Sequence, residues 1–290
     1  MKPISTKSVF YSLATVALAV ASGSSLADTT WNLGGCANST NLGSVVTCAN
    51  PNVVLSGYSN QINTTTTSTS TINGRNFVAA NLYDWGSTAG LGVVAAAEDS
   101  GATGPHALDN TYGIDALMIK FTGGPMNLTG LTIGWNGSDS PVSSTTYNDS
   151  DLSVFVWKGA SAPTATNMTS LTPGSLQTTT GWSLVGNYAD VGTGANLQSP
   201  LGSSLYSSYW LVSAYSTAYG TVNSSGTGTL GQGTDAFKLL SIAGNACTGV
   251  VTNGTCGNGG SQVPEPGSLA LMGIAMAGFV ATRRRKQQAA

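Results

Sequence analysis

The chain has 290 residues, of which 41% are hydrophobic and only 8% charged, with 38 glycines and a formal net charge of −2. Six of the 10 Lys and Arg residues sit at the two ends (Lys2, Lys7, Arg283, Arg284, Arg285, Lys286), which leaves 4 cations (Arg75, Lys120, Lys158, Lys238) against 11 acids over 28–262, a net −7. That balance argues against nucleic acid as a partner, since phosphates are neutralised by clustered cations. The large hydrophobic share, arranged in short alternating runs, argues against a chain disordered throughout.

Residues 1–27 combine Lys2 and Lys7, an apolar stretch over 9–21 and a small-residue exit, Ser25-Leu26-Ala27, ahead of Asp28. This is the layout of a secretory signal peptide, with cleavage expected after Ala27. An amphipathic core helix would need a periodicity that VFYSLATVALAVA lacks. Export places the cysteines in an oxidising compartment, where an even count favours disulfides. They lie in two close pairs, Cys36 with Cys48 and Cys247 with Cys256, and proximity favours local pairing among the possible connectivities. A zinc site is the alternative, weakened by wide spacings and the lack of a nearby His.

Between the ends, 28–262 reads as one secreted all-β domain. Apolar runs of period two, bounded by Gly, Asn, Ser and Pro, predict strands over 53–58, 76–85, 91–97, 115–121, 128–135, 151–157, 182–188, 209–215 and 236–242. In 115–121, Leu117, Ile119 and Phe121 share one face, with Asp115 joining them only at the strand start, and Ala116, Met118 and Lys120 the other, the pattern of a half-buried antiparallel strand. In 151–157 both faces are apolar, Leu152, Val154 and Val156 against Phe155 and Trp157, which predicts a central strand covered on both sides. Short strands without intervening helices imply a single antiparallel β-sandwich, jelly-roll-like, flanked by the signal helix and a C-terminal helix. The low-complexity stretches 63–71 and 164–180 are expected to be long surface loops or an exposed strand edge, with O-linked glycosylation of their threonines as the functional reading.

The densest polar window is 98–151, which holds 7 of the 11 acids: Glu98, Asp99, Asp109, Asp115, Asp139, Asp149 and Asp151. Carboxylates and an Asn amide on inter-strand loops are hard oxygen ligands suited to extracellular calcium. Glu98, Asp109, Asn110 and Asp115 are the candidate ligands, with Asp149 or Asp151 ranked below them. The plainer alternative makes Asp109 and Asn110 an Asx turn and the other aspartates strand caps. His106, the only histidine, has no evident nucleophile or metal partner and reads as a structural residue holding its loop beside Asp109. The string 226–231 (GTGTLG) matches a dinucleotide fingerprint but lacks the strand-to-helix context, so it is a turn. Trp85, Trp135, Trp157, Trp182 and Trp210, with Tyr83, Tyr206, Tyr209, Tyr215 and Tyr219, are abundant for so polar a chain. Exposed members could stack on sugar rings, although Trp157 and Trp210 lie within strand patterns and belong to the core.

The last stretch is tripartite: Pro264-Glu265-Pro266, an apolar run over 269–281, and the cationic cluster Arg283, Arg284, Arg285 and Lys286. As a helix the apolar run spans roughly 20 Å against a hydrocarbon core of about 30 Å, so it anchors poorly. The cationic cluster stays cytoplasmic by the positive-inside rule. This layout resembles the PEP-CTERM sorting signal of bacterial surface proteins, a tail also known as an ice-binding protein C-terminal domain. The resemblance implies a tail of 263–286 that engages the membrane, recognition by an exosortase near Pro264 to Pro266, and release to the envelope or extracellular matrix of a Gram-negative-type bacterium. A second stretch, GLGV (90–93), HALDN (106–110), the 115–121 strand ending in Lys120-Phe121, IGW (133–135) and DSDLSVFVW (149–157), is similar to a block of exosortase-dependent surface proteins that carries no assigned activity. The expectation is a non-enzymatic, exosortase-processed surface or matrix protein associated with the envelope or exopolysaccharide. The alternatives are a carbohydrate-binding module or, behind it, a secreted polysaccharide hydrolase using paired carboxylates.

Overall fold

The computed structural model describes residues 28–36, 41–48, 52–62, 68–95, 106–137, 150–164, 168–178, 181–194, 196–197, 201, 204–225, 227–233 and 235–257. The expected signal peptide with its cleavage point at Ala27 and the sorting segment 263–286, including Pro264, Glu265, Pro266, Arg283, Arg284 and Arg285, lie outside the described residues.

In chain order the strands are β1 (Thr29–Asn32), β2 (Asn41–Gly43), β3 (Val45–Thr47), β4 (Val53–Ser59), β5 (Val78–Asp84), β6 (Leu91–Val94), β7 (Leu108–Asp109), β8 (Asp115–Phe121), β9 (Met126–Gly137), β10 (Leu152–Trp157), β11 (Trp182–Tyr188), β12 (Asn196–Leu197), β13 (Tyr209–Ala214), β14 (Ala236–Ala246), β15 (Val251–Thr252) and β16 (Thr255–Cys256). Each of the predicted runs contains a strand, 115–121 and 182–188 keep their predicted bounds, and in 91–97 the strand ends at Val94 with 96–97 outside the described residues. The strands that sequence periodicity passes over are short, two to four residues each, too brief to show an alternation.

The main path runs β11-β10-β13-β8-β4-β5-β6-β14-β9-β12, with antiparallel ladders throughout. The path curls at β5. Val78, Ala79 and Ala80 pair with β4, whereas Asn81 to Asp84 pair with β6, so one strand passes from the first layer to the second. Leu55, Leu117, Val154 and Val212 of the first layer then meet Leu82, Leu131, Ile133 and Leu239 of the second in one buried cluster. The result is the expected antiparallel sandwich, built from a single folded-over sheet whose inner faces exclude water together.

The first layer is covered on its outer face as well. Ala116, Met118, Phe155 and Leu211 point away from the shared core and pack with Ile72, Phe77, Met168, Leu171, Leu176 and Tyr219. This confirms the two-sided burial expected for β10. It corrects the half-buried reading of β8, where Ala116 and Met118 are as enclosed as Leu117 and Ile119. It also corrects the reading of 63–71 and 164–180 as plain surface loops. Their described parts contain the short helices Thr69–Asn73 and Pro173–Leu176, which lay their few apolar side chains onto the sheet. In the second helix Thr172 and Ser175 form a reciprocal capping box with Pro173 at the first helical position, so a Ser/Thr-rich string supplies its own start signal. Asn60 joins this cover to the sheet: its Nδ2 donates to the Ile72 carbonyl at 2.8 Å while its Oδ1 accepts from the Ile114 N–H at 2.6 Å.

Candidate functional site

The described part of the acid-rich window, Asp109, Asn110, Asp115 and Asp151, lies at one end of the sandwich, where β7, β8, β10, β13 and β14 begin or finish. Asn110, Asp151 and Asp235 are fully buried there. The Asn110 Oδ1 accepts N–H bonds from Gly233 at 2.9 Å and Asp235 at 3.0 Å. Its Nδ2 donates to the Tyr215 carbonyl at 2.9 Å and to the Asp235 carboxylate. Asp235 Oδ1 in turn accepts the Asp151 N–H at 3.1 Å. The Asp151 side chain accepts from the N–H groups of Asp190 and Gly231. The three side chains thus tie the loops after β7, β11 and β13 into one network, supplying acceptors to backbone N–H groups that water cannot reach. Burial pushes the Tyr215 phenol above its ordinary pKa, and the nearby Asp151 and Asp235 carboxylates push it the same way.

The candidate calcium ligands are used differently from one another. Glu98 and Asp149 lie outside the described residues. Asp109 Oδ1 accepts the Thr111 N–H at 3.1 Å, which is an Asx turn. Asn110 is the centre of the network just described, and Asp115 is buried at the start of β8. Among the described residues no group of three or more His, Cys, Asp or Glu is placed to hold a metal ion. Asp109, Asp115 and Asp151, the described aspartates of the window, are all buried. Asp235 and Asp190, which complete the network, were not marked by the sequence. A lone acid beside a Gly-rich run is the signal that could have found them.

Beside this network the outer face of the second layer carries an aromatic patch. Tyr83 follows core residue Leu82 on β5 and so projects to the opposite face. Its ring lies 5.0 Å from that of Trp85 and 4.5 Å from that of His106. His106 is buried and packs against these rings. The glycines of GLGV make this possible. A Cβ on Gly92 would lie 1.7 Å from the His106 carbonyl oxygen, and one on Gly90, whose φ is +94°, would lie 2.5 Å from that of Leu239. Only glycine lets the 106–109 segment and β14 come so close to β6. Lys238, opposite Trp135 in the β14–β9 ladder, threads its ammonium between two indoles, 4.0 Å from the Trp85 ring centre and 4.1 Å from that of Trp135. A register shift follows directly after it, between Lys238 and Leu239, where Gly134 of β9 is skipped, so Trp135 faces outward with Lys238 while Ile133 faces the core opposite Leu239. The cation is buried, which is tolerable because the indole faces and further contacts replace lost water. Trp85 is 38% exposed and Tyr83 and Trp135 are partly so. Trp157, Trp182 and Trp210 are core, as are Tyr215 and Tyr219. A lone Lys in the strand run AFKLL was the available sign of this arrangement.

Both cysteine pairs are bridged locally, Cys36 to Cys48 and Cys247 to Cys256, and the described residues contain no free cysteine. The PEP-CTERM protein-sorting motif matches residues 262–286, which implies export, processing by an exosortase and sorting to the cell surface. No curated protein and no solved structure matches the chain.

Proposed function

We propose that this chain works as a non-enzymatic surface or extracellular-matrix protein, held in the envelope or its exopolysaccharide once the sorting tail is removed. The observation that carries this reading is the sorting motif at 262–286 joined to a disulfide-tied sandwich. The use of the buried Asn110, Asp151 and Asp235 side chains supports it further, because their oxygens accept backbone N–H groups in the interior. A residue committed to holding loops together is poorly placed to exchange protons with a substrate. The test is to tag an interior surface loop, express the full chain in an exosortase-positive host and in its exosortase deletion, and fractionate the cells. Tail-free protein in the envelope or matrix of the first host, and tail-bearing protein retained in the second, is the expected result. Cytoplasmic protein, or an intact tail in the first host, sinks the proposal.

A second reading is favoured by the partly exposed Tyr83, Trp85 and Trp135 on the outer face of the second layer, which give a saccharide aromatic edges and faces to pack on. On this reading the protein is a carbohydrate-binding module, and Trp85→Ala should abolish saturable binding on a glycan array. Unchanged binding in that variant removes the patch from consideration.

A further inference from the structure

The opposite end of the molecule holds a groove that none of the sequence motifs marks. Its walls are the segment following β10 and the hairpin β15–β16, and its floor is the stretch leading into β13. The cavity has a volume of about 430 Å³, within the usual range for small-ligand sites.

The three segments are pinned to one another. Tyr206 N–H donates to the Gly254 carbonyl at 2.7 Å, joining floor to hairpin. Ser207 Oγ donates to the Trp157 carbonyl at 2.7 Å, joining floor to the opposite wall. The Trp157 indole N–H closes its own loop onto the Ser161 carbonyl, also at 2.7 Å. The Cys247–Cys256 bridge closes the hairpin at its base. A groove held at this many points keeps its shape when empty, so a ligand would not have to order it on binding.

The lining is mixed in a particular way. Tyr206 and Tyr209 offer ring faces, Ser161, Thr252 and Asn253 offer hydroxyls and an amide, and Lys158 supplies a positive charge at an exposed position. A second ammonium, that of Lys120, lies 5.9 Å from the Tyr209 ring centre. One of the four cations of 28–262 therefore lines this groove and a second lies behind one of its rings, while no acidic side chain lines it, in a segment that carries 11 acids. Ring faces match the C–H faces of a pyranose, and hydroxyls and amides match its hydroxyl groups. The Lys158 ammonium asks for one anionic substituent among them.

We propose that the groove binds a short segment of an acidic polysaccharide, with Lys158 pairing a uronate carboxylate and Tyr206 and Tyr209 packing against the sugar rings. The proposal rests on the exopolysaccharide association put forward above and gives it a site and a ligand class. It differs from the aromatic-patch reading in place and in charge.

The experiment uses the exported, disulfide-intact protein and two probes, trigalacturonate and neutral cellotriose, with binding followed by calorimetry. The wild type should bind trigalacturonate in preference to cellotriose, and the affinity should fall with rising salt. Lys158→Gln should weaken trigalacturonate binding at least about tenfold, the loss expected for one charge-assisted contact. Tyr206→Ala should weaken both probes, while Trp85→Ala at the other end should change neither. Lys158 is exposed, so its variant should fold normally, and an unchanged melting temperature verifies this. If trigalacturonate binds but Lys158→Gln and Tyr206→Ala bind it as well as wild type, the groove assignment is overturned while the exopolysaccharide reading stands. If neither probe nor purified exopolysaccharide from the host binds, both fall.

Discussion

The two ends of strand β14 differ in almost every respect. At its start Asp235 joins Asn110 and Asp151 in a buried network of side-chain oxygens and backbone N–H groups, and Lys238 lies between two indole rings. Past its end, the segment tied by Cys247–Cys256 borders a groove where Ser161, Thr252, Tyr206, Tyr209 and Lys158 are at least partly exposed. Asp109, Asp115, Asp151 and His106, the described residues of the acid-rich stretch that drew attention in the sequence, belong to the closed end. The open end is made of residue types common everywhere in the chain. In a domain with so few charges, an acid is kept where a buried loop needs an acceptor, because an unsatisfied N–H costs more than a hydrogen bond returns. Recognition of an acidic polymer at the open end needs no such groups, and a carboxylate there would repel it.

The sharpest way to break this contrast is to remove the centre of the closed end. Asn110→Ala strands the N–H groups of Gly233 and Asp235, and should cost about 3 kcal/mol or more in urea unfolding. Thr252→Ala at the rim of the groove should change stability by less than about 0.5 kcal/mol. Similar losses in the two variants would mean that the ends are not mechanically distinct. Next in size is the Cys247–Cys256 bridge, whose short loop is worth at most roughly 3 kcal/mol. Its removal by Cys247→Ala with Cys256→Ala should speed hydrogen exchange at the Tyr206 N–H, which is bonded to Gly254, and leave the Gly233 N–H at the Asn110 network protected. Equal loss of protection at both ends would show that the sandwich transmits the change along its length.

Lys238→Met keeps an apolar stem but loses the cation between the two indoles, and should cost about 1–2 kcal/mol with a shift in tryptophan emission. An unaltered emission spectrum would contradict the threading of Lys238 between Trp85 and Trp135. The closed end also has a pH signature. Burial pushes Tyr188 up to about 12, and burial raises Tyr215 and Tyr219 as well. A phenol whose folded pKa lies above its unfolded value of 10.0 adds stability that is full below pH 10 and is lost as pH climbs toward 12. Unfolding midpoints should therefore hold up to about pH 9 and then fall, with a late rise in absorbance at 295 nm that accompanies unfolding. A single tyrosine titration centred near pH 10, with no later phase, in a protein that remains folded would overturn the packing of this end. The smallest expected effect is that of calcium. Asn110 and Asp151 oxygens already accept N–H donors, so millimolar calcium should leave the melting temperature where chelator leaves it. A calcium-dependent rise that disappears in Asp109→Ala and Asp115→Ala would restore the metal site and alter the account of the closed end.

The strand content, the two-sided burial of β10, the local disulfides and the sorting tail were all legible in the sequence, because each rests on interactions close along the chain: alternation over six or seven residues, cysteines separated by 12 and 9 positions, a tripartite string near residue 265. What only the tertiary structure decided is which polar residues share a site. Asn110 meets Asp235 across 125 positions, Asp151 meets Gly231 across 80, and Ser207 meets Trp157 across 50. Those encounters are set by the fold of the sheet at β5 and by the pairing of β14 with β9, long-range events that no local pattern encodes. For the same reason the apolar anchors Ile72, Met168 and Leu176 were hidden in Ser/Thr-rich strings. An isolated hydrophobe shows no period, and its importance comes from the exposed face of the first layer that it covers.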